Sequence, residues 1–369
     1  MVAKGCPGLH ARRADRFIHR QRRPIPLRTL LLVLALIPVT AWALDPDDLR
    51  DDAPQVYTVK KGDNLWDIAA KFLNNPWRWP ELWDRNPYIS NPDLIYPGDR
   101  LRLYTVDGEP RVARQQVERL SPEVETEEAQ RLEPISTVDR SVVIPYVDRY
   151  GLLAPDRDPE EVGGHLVAGA QERAMYASGD RVFFRLRAAD TTETRQWYSF
   201  REPEPIRASD GGELLGYFLE HTGLLRLREP AGENLYAGTI ERTYTPIREG
   251  DRLYPGRAAS PQTRFLPKPG PDLEGTILRH VGGESMLGEG QMVILNRGAR
   301  HGLEKGHVLM VRGSPRTVAD PRTGESTQLP SRQKGVVMII DTSEHLAFAL
   351  IMQNQEPVAA GDRIEGPEG

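Results

Sequence analysis

Apolar positions along the chain change their spacing twice, and each regime predicts a different kind of element. In residues 56–104, Tyr57-Thr58-Val59 has strand propensity, and Leu65, Ile68, Ala69 and Phe72 then recur at helical spacing. Trp79, Leu82 and Trp83 give the inner face of a second helix. Pro80 is tolerated near its start because a first-turn amide has no intrahelical partner anyway. Leu101 and Leu103 alternate on a closing strand. Gly62-Asp63-Asn64 supplies turn and N-cap chemistry, while Asn75-Pro76 and Asn86-Pro87 end the two helices. The pattern predicts a compact βααβ unit with its strands antiparallel.

From about residue 138 a period of two takes over. Val182, Phe184 and Leu186 share one face, and 214–219, 224–227 and 237–244 add short strands. A Pro-rich stretch, 258–271, breaks this pattern as an interdomain linker would. Beyond it, 292–295, 308–311, 336–340 and 347–351 make a second β-rich unit. The two units read as diverged copies. One ends Pro246-Ile247-Arg248-Glu249-Gly250-Asp251-Arg252-Leu253 and the other Pro357-Val358-Ala359-Ala360-Gly361-Asp362-Arg363-Ile364. The further Gly-Asp-Arg triplets, at 98–100 and 179–181, are likewise read as turns entering strands.

The remaining segments complete the organisation. Residues 44–55 are an acidic lead-in. Residues 105–137 lose apolar periodicity and collect Glu109, Glu118, Glu123, Glu125, Glu127 and Glu128, which reads as a charged linker. The expected fold class is therefore multidomain: a small α+β (βααβ) module at 56–104, then β-rich domains at 138–257 and 272–369.

Charge and cysteine use add a compartment. Residues 1–28 hold eight basic side chains against Asp15, an apolar run follows at 30–39, and Ala41-Trp42-Ala43 gives a small-x-small cleavage site. This predicts a signal peptide at 1–43 cleaved after Ala43, with no stable membrane span left after cleavage, and a periplasmic protein. The basic region is long for a leader, which leaves a start downstream of Met1 open. Cys6, the only cysteine, lies upstream of the apolar run, so the cleaved chain would have no thiol nucleophile and no disulfide. Cleavage takes 8 of 48 basic and 1 of 53 acidic residues, leaving 40 against 52 and a net charge of −12. Such a chain is a poor partner for nucleic acid, whose binding rests on neutralising phosphates.

The segment 56–104 resembles a LysM module, the small domain that binds N-acetylglucosamine-containing glycans and, in bacteria, chiefly peptidoglycan. The resemblance rests on Gly62-Asp63-x-Leu65-Trp66-Asp67-Ile68-Ala69 followed by Asn91-Pro92-Asp93-Leu94-Ile95-Tyr96-Pro97-Gly98-Asp99-x-Leu101. It implies a sugar groove between two loops, with Gly62, Asp63, Asn64 and Leu65 on one side and Asn91, Pro92, Asp93, Leu94, Ile95, Tyr96 and Pro97 on the other. An N-acetyl group needs backbone donors and acceptors for its amide and a small apolar slot for its methyl, which Leu65, Leu94 and Ile95 are expected to line. Asn64 stands where the family more often has Thr. Trp77, Trp79 and Trp83 are candidates for stacking on sugar rings, although helical spacing favours core positions for Trp79 and Trp83.

Catalytic signals are weak by comparison. Only His301 and His307 lie close together among the histidines after residue 43, and their spacing suits turns or surface rather than a zinc pair, so no metal and no cofactor is expected. A serine motif of the G-x-S-x-G type is absent, and the Gly282-Gly283…Gly288…Gly290 cluster lacks a phosphate-loop ending. The sequence thus points to a non-enzymatic, exported peptidoglycan-binding protein whose β-rich domains meet another envelope protein. The alternatives are a wall hydrolase with a site somewhere in 138–366, or a structural scaffold.

Overall fold

In the computed structural model the described residues are 44–83, 95–115, 138, 140–159, 163–187, 195–208, 212–255, 265–282, 287–313, 315–329 and 331–367. The chain separates into units Met1–Trp42 and Ala43–Gly369, and everything described belongs to the second. The expected signal peptide therefore lies outside the described residues. Among those residues, no helix is long and apolar enough to cross a membrane.

The first module comprises β1 (Val56–Thr58), α1 (Leu65–Phe72), a 3-10 turn (Pro76–Arg78), α2 (Trp79–Trp83), β2 (Arg100–Val106) and β3 (Glu109–Gln115). Asn64 caps α1: its side-chain oxygen accepts the Asp67 N–H at 2.9 Å, satisfying one of the helix's orphan donors. Leu65, Ile68, Ala69, Phe72, Trp79, Leu82, Trp83 and Leu101 form one core, as their spacing predicts. The sheet has a third strand, however. Asp107 and Gly108 both take positive φ, 52° and 91°, which is the geometry of a two-residue I′ hairpin turn. They fold the start of the expected linker back as β3, antiparallel to β2, and Val112 on β3 is fully buried. The high glutamate content masked a hairpin signal of two residues.

The β-rich region begins with a helix, α3 (Arg140–Arg149), where β structure was expected. The β-branched run Val142-Val143-Ile144 before Pro145 argues against a helix locally, so tertiary anchoring overrides propensity. His221 Nδ1 donates to the Asp148 carbonyl at 2.8 Å, and Arg242 pairs with the Asp148 carboxylate. The strands that follow are β4 (Tyr150–Leu153), β5 (Gly164–Gly169), β6 (Arg181–Leu186), β7 (Gln196–Phe200), β8 (Glu204–Arg207), β9 (Leu214–Gly232), β10 (Leu235–Thr243) and β11 (Arg252–Pro255). Six of them close a ring, β5-β6-β10-β9-β7-β11 and back to β5, all antiparallel. The first half of β9 projects from this barrel as an arm, with β8 on one edge and β4 on the other.

The last domain holds β12 (Lys268–Pro269), β13 (Glu274–His280), β14 (Met292–Leu295), β15 (His307–Arg312), β16 (Arg316–Ala319), β17 (Ser326–Leu329), β18 (Gln333–Thr342), β19 (Ala347–Asn354) and β20 (Arg363–Glu365). The stretch expected as Pro-rich linker supplies β12, which pairs parallel with β15. The ring here is β13-β14-β19-β18-β15-β20, strand for strand the connectivity of the first barrel.

Equivalent bonds recur 111 positions apart. The bridge Tyr176–Ile247 matches Leu287–Val358, and Leu166 N–H to Asp251 O matches Ile277 N–H to Asp362 O. The tandem copies read from the Gly-Asp-Arg endings are thus two barrels of one topology.

Their outer faces differ. On the second barrel Val293, Leu295, Ile339, Ala349 and Ile351 point into one core, while Met292, Ile294, Met338, Phe348 and Leu350 point outward into another. That outer layer is covered by Val143 of α3, by Ile206, Leu215 and Phe218 of the arm, and by Trp66 and Trp77 of the first module. On the first barrel the positions equivalent to Met292 and Met352 are Arg181 and Glu241. They enter surface ion pairs, Arg181–Glu229 and Arg226–Glu241. One barrel is therefore the hub, and the other carries an ordinary polar exterior.

Candidate functional site

Two short loops of the first module are built alike and tied together. In 60–63, the Asp63 N–H donates to Lys60 O at 3.2 Å, the Asp63 carboxylate accepts the Lys60 N–H at 2.7 Å, and Gly62 has φ +98°. In 96–99, the Asp99 N–H donates to Tyr96 O at 3.0 Å, the Asp99 carboxylate accepts the Tyr96 N–H at 3.0 Å, and Gly98 has φ +96°. Positive φ at the third position demands glycine, and the following Asp closes the turn with its side chain. Val59 N–H donates to Asp99 O and Gly98 N–H to Val59 O, both at 2.8 Å, which locks one loop against the other.

The same x-x-Gly-Asp turn recurs in the barrels at 177–180, 248–251 and 359–362, each with the Asp carboxylate accepting the first N–H. The Gly-Asp-Arg triplets are turns entering strands, as their sequence suggested. They belong to the scaffold.

Several residues singled out from the sequence are already occupied. Asp63 also accepts the Tyr57 hydroxyl at 2.9 Å, and burial together with this bond pushes the Tyr57 pKa up to about 12. Asn64 is the α1 cap, its amide nitrogen donating to Asp67 at 2.7 Å. The side chains of Leu65 and Ile95, expected to line an apolar slot, lie in the module core with 0% and 1% exposure. Hydrophobic burial draws both inward, because the module is too small to leave two large aliphatic side chains out of its core. Gly62 is exposed, and Tyr96 and Pro97 are half-buried at the surface. Asn91, Pro92, Asp93 and Leu94 lie outside the described residues. Among the described residues, the two loops expose the backbone of Gly62 and Gly98 and the side chains of Lys60 and Lys61, with Tyr96 and Pro97 half-buried beside them.

The tryptophans divide. Trp79 and Trp83 are core, packed edge to face at 6.0 Å between ring centroids. Trp77, a stacking candidate, joins Trp66 against the second barrel instead. Sequence reasoning missed this contact surface. The signal was present in β14 and in residues 347–352 of β19, which are too uniformly apolar for strands wetted on one face. Beside Trp66, Asp67 faces Glu289 of the second barrel, and burial with the Asp67 charge raises the Glu289 pKa.

The two close histidines serve turns. His301 Nδ1 accepts the Gly298 N–H and His307 Nδ1 accepts the Glu304 N–H, both at 3.0 Å.

The LysM domain family matches residues 57–103, so a LysM domain, a peptidoglycan-binding module, is present there. Three relatives match a short stretch of the chain. An uncharacterized protein of Bacillus subtilis, YqbP, is 39% identical over 61 residues, covering 14% of this chain and 28% of that protein. An uncharacterized protein of Deinococcus radiodurans is 41% identical over 63 residues, 17% of this chain and 24% of that protein. The potassium binding protein Kbp of Escherichia coli is 40% identical over 52 residues, 14% of this chain and 35% of that protein. The matched stretch spans between 24% and 35% of these relatives' lengths.

Proposed function

We propose that this chain is a non-enzymatic peptidoglycan-binding protein of the periplasm that holds N-acetylglucosamine units between its two Gly-Asp loops and offers its barrels to an envelope protein. The observation that carries the reading is the locked pair of loops. The bonds joining Val59 to Gly98 and Asp99 fix two stretches of exposed backbone in a preformed arrangement. A preformed polar edge suits an N-acetyl amide, since its ordering cost has been met on folding. The signal-like segment before Leu44 and the thiol-free remainder support export.

The test is co-sedimentation of the full chain with insoluble peptidoglycan, in parallel with Tyr96→Ala. Tyr96 is chosen because it opens the second loop with its backbone, which alanine keeps, and its side chain is not part of the module core. Binding by the parent and weaker binding by the variant are expected. A parent chain that stays in the supernatant would overturn the proposal. Release of reducing sugar or peptide from the wall would favour a hydrolase instead.

A further inference from the structure

Each barrel has an arm in the same connection, between its third and fourth ring strands. In the first barrel this arm is β8 with the first half of β9. In the second it is β16 with β17. The first arm is fully used: β8 covers one edge of β9, β4 covers the other, and its apolar face lies on the second barrel. The second arm has no such cover among the described residues. Among the described residues, β16 and β17 pair only with each other, and 321–328 are all exposed. A bare two-stranded ribbon gains little stability alone. Among the described residues, no strand pairs with the edge of β17 that corresponds to the β4-covered edge of β9.

The register defines what that edge offers. Asp320 N–H donates to Glu325 O at 2.8 Å, and the pairs then run Ala319 with Ser326, Val318 with Thr327, and Thr317 with Gln328. Bonded and non-bonded pairs alternate in an antiparallel ladder. Thr327 therefore turns its backbone groups toward β16, while Ser326 and Gln328 turn theirs outward. Ser326-Thr327-Gln328 holds no charge and no proline, the usual guards of an exposed edge. It is also self-complementary. Paired antiparallel with its own copy, Ser326 exchanges backbone bonds with Gln328 of a second chain, and Thr327 faces Thr327 across the axis.

We propose that two copies of this chain associate through β17, building a four-stranded ribbon with a two-fold axis at Thr327. Two LysM domains would then act on one glycan network, which converts weak single-site binding into avidity. That use rests on the glycan-binding reading; the self-association itself does not.

Sedimentation velocity of the full chain, without peptidoglycan and over a range of concentrations, tests the association alone. The parent is expected to shift from monomer to dimer mass as concentration rises. Thr327→Asp and Thr327→Lys each place like charges face to face and should stay monomeric, with circular dichroism unchanged. An equimolar mixture of the two variants should recover the dimer mass, which a merely misfolded arm would not do. A parent that stays monomeric, variants that dimerise like the parent, or a mixture that stays monomeric would each overturn the proposal.

Discussion

Asp251 and Asp362 occupy the same place in two barrels, 111 positions apart, each carboxylate buried and held by one basic side chain. Arg201 grips Asp251 at 2.8 and 2.9 Å, and Lys334 donates to both oxygens of Asp362 at 2.8 Å. Each Asp also accepts the N–H that opens its Gly-Asp turn. The charge pair and the turn are thus one device used twice.

The two copies should not cost the same to break. The Lys334 side chain is 18% exposed and that of Arg201 is 37% exposed, so water compensates Arg201 better. Asp362→Asn is expected to lower stability by about 2–4 kcal/mol and Asp251→Asn by roughly half of that. Urea unfolding of the single variants checks the order.

His221 gives the first barrel an acid sensitivity. Burial lowers its pKa from 6.5 to about 4, and its ring stacks on Tyr198 at 4.2 Å while donating to the Asp148 carbonyl. The unfolded chain binds this proton more readily, so the stabilisation is complete above pH 6.5 and is lost as pH falls toward 4. Its full extent is about 3 kcal/mol. Amide exchange in α3 should therefore quicken across that window in the parent. His221→Gln keeps a donor for Asp148 and should flatten the difference. Equal pH slopes in parent and variant would remove His221 as the cause.

Trp66 belongs to the LysM domain by sequence and to the second barrel by packing. Trp66→Ala should release the domain from the hub, at a cost of about 3–5 kcal/mol in docking, without unfolding the domain's own core. Limited proteolysis should then cut between domain and barrels, and peptidoglycan co-sedimentation should persist.

Val112 tests the third strand. Its side chain is fully buried against the LysM core although it lies beyond Tyr104. Val112→Ala is expected to destabilise the domain by about 2 kcal/mol, and a chain segment ending at Tyr104 should fold less stably than one ending at Gln115. Thermal melts of the two segments decide this.

Local patterns were legible where a short stretch controls its own geometry. The 3.6-residue recurrence of Leu65, Ile68, Ala69 and Phe72 made a helix, Asn64 capped it, and every described Gly-Asp-Arg triplet made the same turn. The doubled Gly-Asp-Arg ending foretold two copies, because glycine at positive φ and an aspartate bonding back to the turn leave few alternatives. Helix α3 was not legible, since it is held at Asp148, near its C-terminal end, by His221 and Arg242 from distant strands. Leu65 and Ile95 share a loop motif with surface residues, and only packing showed that their side chains face inward.

The sequence by itself determined the LysM domain's turns and first helix, the strand character of both later units and their kinship. Those depend on backbone preferences and on residues within a few positions of one another. Tertiary structure alone decided that the strands close into rings, that Trp66 and Trp77 leave their domain for the second barrel, and which barrel became the hub. Those outcomes turn on which apolar faces meet, and the second barrel's Met292 and Met352 are apolar where the first carries Arg181 and Glu241 in surface ion pairs. Such surfaces are assembled from strands far apart in the chain, and no local spacing records which partner will cover them.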